Sequence, residues 1–349
     1  MTIRNLVDPT GSGDQGDMRV IAIEEAFAIP EYLEAFVKEA NSGRRPGIKV
    51  PALILSRPEN AGLLCDLNTR LKSMDDNGVD MHLLSLTSPG VQIFDSDLAT
   101  GMARLVNDRM AAIIKQHPRR FGGLATVAPQ DPVGAAAEIE RAIQDLGLNG
   151  VIINSHTNGE FLDDPKFYPI LEAAQRLNAP IYMHPTFPPD AMARPFQIYN
   201  LDGALWGFAA ETGLHAVRMV MGGVFDRFPE LKIVLGHMGE NLPFQLFRLD
   251  NVLNFLMSHA QKPPGMVDLK KKPSEYIKSN IYITTSGMFW DRLLQFGLDT
   301  MGIDHLIFAI DYPYESSKIA CEWIAKAPIS PSDKRAILSG NTERLFGIR

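Results

Sequence analysis

The sequence predicts an α/β protein folded as a (β/α)8 TIM-like barrel, with an insertion after the first strand. Eight short runs rich in β-branched residues recur along the chain, and segments with helical spacing of apolar residues separate most of them. Such alternation of strands and helices is typical of a parallel sheet. No GxGxxG motif follows the first run, which argues against an open sheet that binds a dinucleotide.

The first predicted strand covers residues 19–28 and ends in two adjacent carboxylates. Strict alternation would place Glu24 on one face and Glu25 on the other. The face of Glu24 would also hold Val20, Ala22 and Ala26, and the face of Glu25 would hold Ile21 and Ile23. Burial of a carboxylate is costly unless a cation or a hydrogen-bond donor meets it. The same pattern also fits a strand that simply ends in solvent.

Residues 30–67 lack clear periodicity and are too long for an ordinary loop, so we expect an insertion with a local helix and a functional or interfacial role. The other seven strands are predicted at residues 81–86, 122–127, 150–154, 180–184, 231–237, 281–286 and 305–311. Helices are predicted at residues 68–78, 97–116, 132–146, 166–177, 211–228 and 241–256. The helix that ends at Asn77–Gly78 and the one that begins at Asp131–Pro132 have typical boundary residues.

Length and composition limit the class of protein. A chain of 349 residues with 45% hydrophobic composition can form one barrel domain, which we place at residues 18–349. Residues 1–17 lack an apolar signal core and are expected to be a flexible leader. A net charge of −7 without a basic cluster argues against a nucleic-acid partner. No run approaches the roughly 20 apolar residues of a membrane span, so no membrane partner is expected.

Cysteine usage bears on the compartment. Cys65 and Cys321 are too few for a disulfide framework. This usage is typical of a reducing environment, and we expect a cytoplasmic location.

Four predicted strand ends hold side chains that can bind a metal or move a proton. They are Glu24 on strand 1, His184 on strand 5, His237 on strand 6 and Asp311 on strand 8. Active sites of such barrels lie where the strands end. Each residue alone also has an ordinary explanation, such as a hydrogen-bonded core histidine or a turn-forming aspartate. Their joint occurrence favours one shared site, and His156 after strand 4 is a further pocket candidate.

Stretches along nearly the whole chain carry a family resemblance. They include IEEAFAIPE, LSLTSPGVQ, TVAPQDP, INSHTNGEFLD, MHPTFPPD, GHMGENLPFQLFRLD and IDYPYE. They resemble the amidohydrolase superfamily, whose members place metal ligands on strands 1, 5, 6 and 8. More narrowly, they are similar to its metal-dependent nonoxidative decarboxylases of aromatic acids.

The resemblance implies a metal site, with one departure. Many relatives have Glu-x-His on strand 1, whereas here Ala26 follows Glu24 and cannot bind a metal. The end of strand 4 has no lysine, so a bridging carboxylated lysine is not expected. A mononuclear site held by Glu24, His184 and Asp311 is therefore predicted. Two carboxylates and one imidazole favour Mn²⁺ or Mg²⁺ over Zn²⁺, although zinc tolerates them, and the resemblance favours Mn²⁺.

The implied reaction is the loss of CO₂ from an ortho-hydroxybenzoate, a carbon–carbon lyase reaction, with 5-carboxyvanillate as the expected small aromatic acid. Asp311 would take the phenolic proton and deliver it to the ring carbon. His237, paired with Glu240, would assist this transfer or serve as a fourth metal ligand.

The resemblance also implies residues that bind the retained carboxylate of the substrate. Arg57 and Arg248 would hold it, beside Tyr314, because guanidinium and carboxylate pair in a bidentate geometry. Arg57 could act in a neighbouring subunit's pocket, and a homodimer or homotetramer is expected. Either arginine could instead be an ordinary surface residue.

Other functions remain open at this point. γ-Resorcylate and 2,3-dihydroxybenzoate are alternative substrates that lack a second carboxylate. A hydrolase of the same superfamily would act on a lactone or amide, with Asp311 activating a water molecule. A noncatalytic barrel that binds an aromatic acid is the alternative from another class.

Overall fold

The computed structural model describes Ile3, residues 18–258 and residues 264–349. The predicted leader at residues 1–17 lies, apart from Ile3, outside the described residues. Eight parallel strands pair in sequence order. Ile23 closes the ring, because its N–H donates to Phe308 O at 3.3 Å and it forms a parallel bridge with Ala309. The predicted (β/α)8 barrel is confirmed.

All eight predicted strands are present, although five of them are shorter than predicted. The strands are β1 Ile21–Phe27, β2 Met81–Leu86, β3 Phe121–Thr126, β4 Gly150–Asn154, β5 Ile181–His184, β6 Ile233–Leu235, β7 Ile281–Thr284 and β8 Leu306–Ile307. The predictions for β6 and β8 extended to His237 and Asp311, and this is wrong. Both residues have a positive φ, 48° and 75°, which an extended strand does not allow.

The helices lie between and around the strands. They are α1 Pro30–Asn41, α2 Lys49–Leu55, α3 Pro58–Cys65, α4 Leu67–Asn77, α5 Ser96–Gln116, α6 Pro132–Gln144, α7 Tyr168–Arg176, α8 Asp190–Ala193, α9 Gly207–Met221, α10 Val224–Arg227, α11 His237–Glu240, α12 Leu246–Ser258, α13 Pro273–Asn280, α14 Asp291–Met301, α15 Ser317–Lys326, α16 Pro331–Arg335 and α17 Asn341–Phe346. None of the helices in the described part of the chain is long and apolar enough to cross a membrane.

Two predicted helical segments are divided into more helices in the structure. The insertion after β1 contains three helices, α1 to α3, where the sequence predicted one. The helix predicted at residues 211–228 is divided into α9 and α10, because Gly223 adopts a φ of 74° between them. Arg45 of the insertion donates to Asn158 Oδ1 at 2.6 Å, so the insertion reaches the loop that follows β4.

The barrel interior is filled by side chains that alternate along the strands. These are Ile21, Ile23, Met81, Leu83, Leu124, Ile152, Tyr182, Val234, Ile307 and Ala309. Leu345 and Phe346 of α17 join the same cluster, and Phe346 lies against Gly150 at the start of β4. These side chains close the end of the barrel at which the strands begin. The opposite end, where the strands finish, remains for a site.

A β-bulge in β1 changes the predicted faces of the two glutamates. The pairing of β1 with β2 shifts register between Ala22 and Glu25, and Glu24 has a φ of 68°. Ile23 faces the interior, and Glu24, the next residue, reaches the interior as well. Glu25 instead lies beside His82, on the outer side of the barrel. The predicted shared face of Ala22 and Glu24 is wrong because the extra residue breaks the period of two.

Candidate metal and catalytic site

Glu24, His184, His237 and Asp311 meet at the end of the barrel where the strands finish. One donor atom from each of Glu24, His184 and Asp311 lies within 4.8 Å of the other two. His237 Nε2 is 3.8 Å from Glu24 Oε1 and 3.6 Å from Asp311 Oδ2. The fold therefore brings together the four residues selected from the predicted strand ends.

Three of these four residues have a left-handed backbone conformation. The φ values are 68° for Glu24, 48° for His237 and 75° for Asp311. Residues other than glycine adopt this region at a cost on the order of 1–3 kcal/mol, and such conformations cluster at functional sites. Here each turn of the backbone directs a polar side chain towards the centre of the barrel mouth.

Glu24 has one satisfied oxygen and one unsatisfied oxygen. Tyr182 donates its hydroxyl hydrogen to Glu24 Oε2, and Thr284 Oγ1 donates to the same atom at 3.3 Å. Glu24 Oε1 is buried and has no hydrogen-bond partner among the described residues. It lies 3.5 Å from His184 Nε2. A buried anionic oxygen without a donor is costly, and a bound cation would satisfy it.

His184 is held in the form that binds metals. Its Nδ1 lies 2.8 Å from Pro185 O. A carbonyl only accepts hydrogen bonds, so Nδ1 holds the proton and the lone pair of Nε2 faces Glu24. Burial lowers the pKa of His184 and so keeps the imidazole neutral. These properties, together with the open Glu24 oxygen, fit a divalent metal ion.

His237, which is partly buried, pairs with the buried Glu240. Nδ1 of His237 lies 2.6 Å from Glu240 Oε1, and the backbone N–H of His237 donates to Ser286 Oγ at 3.0 Å. Burial alone lowers the pKa of His237, but the negative charges of Glu240 and Glu24 and a hydrogen bond to Asp311 raise it well above its usual value. The imidazole can therefore hold a proton while it faces Asp311.

Asp311 is a carboxyl with an unusual proton affinity. Burial raises its pKa to about 7, the neighbouring charge of Glu24 adds to this rise, and the hydrogen bond from His237 opposes it. A group whose pKa lies near the working pH can both accept and return a proton.

The predicted carboxylate-binding residues lie apart from one another along the chain. Arg57 precedes α3 in the insertion, and Arg248 lies in the first turn of α12. Both side chains are exposed, and neither guanidinium forms an ion pair with a carboxylate of the described residues. The Tyr314 hydroxyl hydrogen-bonds to Thr87 Oγ1, next to the end of β2.

Four further residues shape this site and were not predicted from the sequence. Tyr182, Thr284 and Ser286 hold Glu24 and His237, directly or through one another. A signal for Tyr182 was available, because it precedes His184 by two residues and therefore shares its face. The missed glycine is Gly236, where an added Cβ would lie 2.9 Å from Glu24 Oε1.

Comparisons with known proteins agree with the geometry. The family model described as Amidohydrolase matches residues 65–348. The crystal structure of 5-carboxyvanillate decarboxylase from Sphingomonas paucimobilis has 43% identity and a TM-score of 0.90, and the match covers 95% of this chain and 100% of that one. The enzyme of the same name from Novosphingobium aromaticivorans, complexed with manganese and 4-hydroxy-3-methoxy-5-nitrobenzoic acid, has 37% identity and a TM-score of 0.92, with 99% of each chain covered.

A further relative is named for a different substrate. γ-Resorcylate decarboxylase from Polaromonas sp. is 35% identical over 334 residues, which are 93% of this chain and 98% of the relative. The chain belongs to the amidohydrolase superfamily, within its family of metal-dependent aromatic acid decarboxylases, which are carbon–carbon lyases.

Proposed function

We propose that this chain converts 5-carboxyvanillate to vanillate and CO₂, a step in the breakdown of lignin-derived aromatic acids, with one Mn²⁺ ion. The main support is the cluster of Glu24, His184 and Asp311, whose donor atoms lie within 4.8 Å of one another around an unsatisfied buried oxygen. Solved structures named 5-carboxyvanillate decarboxylase are 43% and 37% identical to the chain, against 35% for the γ-resorcylate enzyme.

Glu24, His184 and Asp311 would hold the metal. Two carboxylates and one imidazole suit Mn²⁺ or Mg²⁺, with Zn²⁺ as a third possibility, and a relative was solved with manganese. A bound divalent ion would supply Lewis-acid chemistry at this site and would make the phenol of the substrate more acidic.

The side chains of this site would move one proton. Asp311 takes the phenolic proton and delivers it to the ring carbon that holds the departing carboxylate. A C–H bond forms, the C–C bond then breaks, and its electron pair restores the aromatic ring as CO₂ leaves. His237, held by Glu240, stabilises the charge on the phenolate side. The alternative role for His237 is that of a fourth metal ligand.

Arg57 and Arg248 would select the dicarboxylate. Their exposed guanidinium groups are available for the retained carboxylate, and Tyr314 lies beside the loop of Asp311. We propose that Arg57 reaches the pocket of a neighbouring subunit, in a homodimer or homotetramer.

The free thiols of Cys65 and Cys321 agree with a cytoplasmic location.

One assay tests the proposed substrate. Mn²⁺-loaded protein is incubated with 5-carboxyvanillate, γ-resorcylate and 2,3-dihydroxybenzoate, and the loss of each acid is followed by ultraviolet absorbance with CO₂ measured in parallel. We expect the dicarboxylate to have the highest kcat/KM. Preference for γ-resorcylate would make this chain a γ-resorcylate decarboxylase, which its relatives also support. No turnover of any acid would refute the decarboxylase proposal and leave lactone hydrolysis or binding alone.

The substitution Arg248→Met is expected to affect the two kinds of acid differently. A lost guanidinium–carboxylate pair should raise KM for 5-carboxyvanillate about 10- to 100-fold, because a charge-assisted bidentate contact disappears. KM for a salicylate-like monoacid should change by less than about threefold. Steady-state kinetics on both acids measure the difference, and an equal rise for both would remove the argument for a dicarboxylate substrate.

A further inference from the structure

Glu25, the residue after Glu24, contacts the backbone on both sides of Asp311. Its Oε1 accepts the N–H of Ile310 at 3.0 Å, and its Oε2 accepts the N–H of Tyr312 at 3.2 Å. The two oxygens of one carboxylate thus hold the two neighbours of a single residue. The side chain of Glu25 is fully buried, so these contacts are shielded from water.

Asp311 needs such support because no strand holds it. The hydrogen-bonded strand β8 ends at Ile307, four residues earlier, and Asp311 has a φ of 75°. A non-glycine residue keeps this conformation only when its surroundings impose it. The contacts from Glu25, together with the hydrogen bond from Ala26 N to Tyr312 O at 2.8 Å, attach the segment around Asp311 to β1.

A buried cation lies near Glu25. Arg70 of α4 is fully buried, donates to Ala26 O, and lies over the ring of Tyr312 at 4.5 Å from the ring centre. His82 Nε2 is 3.9 Å from Glu25 Oε2. Burial raises the pKa of Glu25 and the nearby positive charge of Arg70 opposes this rise. The guanidinium of Arg70 also contacts the segment that Glu25 holds.

We propose that Glu25 is a positioning residue that fixes Asp311 in its working orientation, through two backbone hydrogen bonds and without touching the substrate. The inference rests on the proposed function, because that function assigns Asp311 to the metal and to the proton. It adds that Glu25, the residue after Glu24, controls the orientation of Asp311.

Two variants of Glu25 and one control test this role. Glu25→Gln keeps the volume but has only one oxygen acceptor for two N–H donors. Glu25→Asp keeps a carboxyl group in this buried position but is one methylene too short to span both donors. The control Glu138→Gln changes another buried glutamate, which accepts hydrogen bonds from Arg141 and Asn107 on the helices outside the barrel.

The measurements are amide hydrogen exchange of the segment around Asp311, the Mn²⁺ dissociation constant from the electron paramagnetic resonance of free Mn²⁺, and kcat. In both Glu25 variants we expect exchange at residues 310 and 312 to be about tenfold faster and Mn²⁺ affinity to fall about tenfold or more. We expect kcat to fall with little change in KM. Glu138→Gln should lower the melting temperature and leave exchange near Asp311 and Mn²⁺ affinity unchanged.

The proposal is overturned if a folded Glu25 variant keeps wild-type exchange and Mn²⁺ affinity within twofold. It is also overturned if the Glu138 control weakens Mn²⁺ binding equally, since the effect would then be general. Absence of turnover in the wild-type protein would refute the decarboxylase function, whereas the exchange rates would still decide the role of Glu25.

Discussion

Replacement of Asp311 by asparagine is expected to lower kcat by about 10²- to 10⁴-fold, the usual contribution of a positioned acid or base. The amide keeps the size of the side chain but cannot take the phenolic proton. Steady-state kinetics at saturating Mn²⁺ measure the loss. The control Asp299→Asn changes an exposed aspartate on α14 and should have no effect. A kcat within tenfold of wild type would exclude Asp311 as the proton carrier.

The same variant should be more stable than the wild type in metal-free protein at alkaline pH. Folding raises the pKa of Asp311 from 3.8 to about 7. Between these values the unfolded chain has released the proton that the folded chain still binds, so wild-type stability falls as the pH rises through this range. Asparagine does not titrate and removes this loss. Melting temperatures at pH 5 and pH 8 with a chelator present measure the difference, and a larger decline in the variant would contradict this account.

The substitution Gly236→Ala is expected to weaken Mn²⁺ binding about 10- to 100-fold, as the loss of contacts around metal ligands commonly does. A Cβ at this position would lie 2.9 Å from Glu24 Oε1 and 3.0 Å from the Tyr182 hydroxyl oxygen. Glu24 cannot move aside freely because Tyr182 and Thr284 hold its other oxygen. The φ of Gly236 is −66°, which alanine adopts easily, so backbone strain makes no contribution.

Titration with Mn²⁺ and assays at limiting and saturating metal test this expectation. Activity should fall strongly at limiting Mn²⁺ and recover in part at saturation. The control Gly101→Ala adds a Cβ that meets no atom within 4 Å, on helix α5. It should leave Mn²⁺ affinity unchanged and raise stability by up to about 1 kcal/mol. Wild-type Mn²⁺ affinity in Gly236→Ala would show that Glu24 is not confined as the structure indicates.

The fold was predictable because the barrel repeats one simple pattern. Short runs such as MHLLSL and GVIIN favour buried strands by their length and apolar content, and the helical segments between them set the connections. The same pattern located Glu24, His184, His237 and Asp311 near strand ends. Tyr182 was also within reach, because it alternates with His184 on the same strand.

The exact geometry was not predictable because contacts distant in sequence impose it. The bulge at Glu24 depends on pairing with β2, and the conformation of Asp311 depends on Glu25, which is 286 positions earlier in the chain. Local preferences of Glu, His or Asp give no indication of a positive φ.

The bulge in β1 has a consequence for anyone who engineers this barrel. It sets which of the two consecutive glutamates faces inward, so that Glu24 meets the side chain of Asp311 from within and Glu25 meets the main chain on either side of Asp311 from outside. Removal of a single residue from this strand would exchange their environments and disable both at once. A transplanted site would therefore need the dipeptide, its irregular strand and the loop after β8 as one inseparable unit.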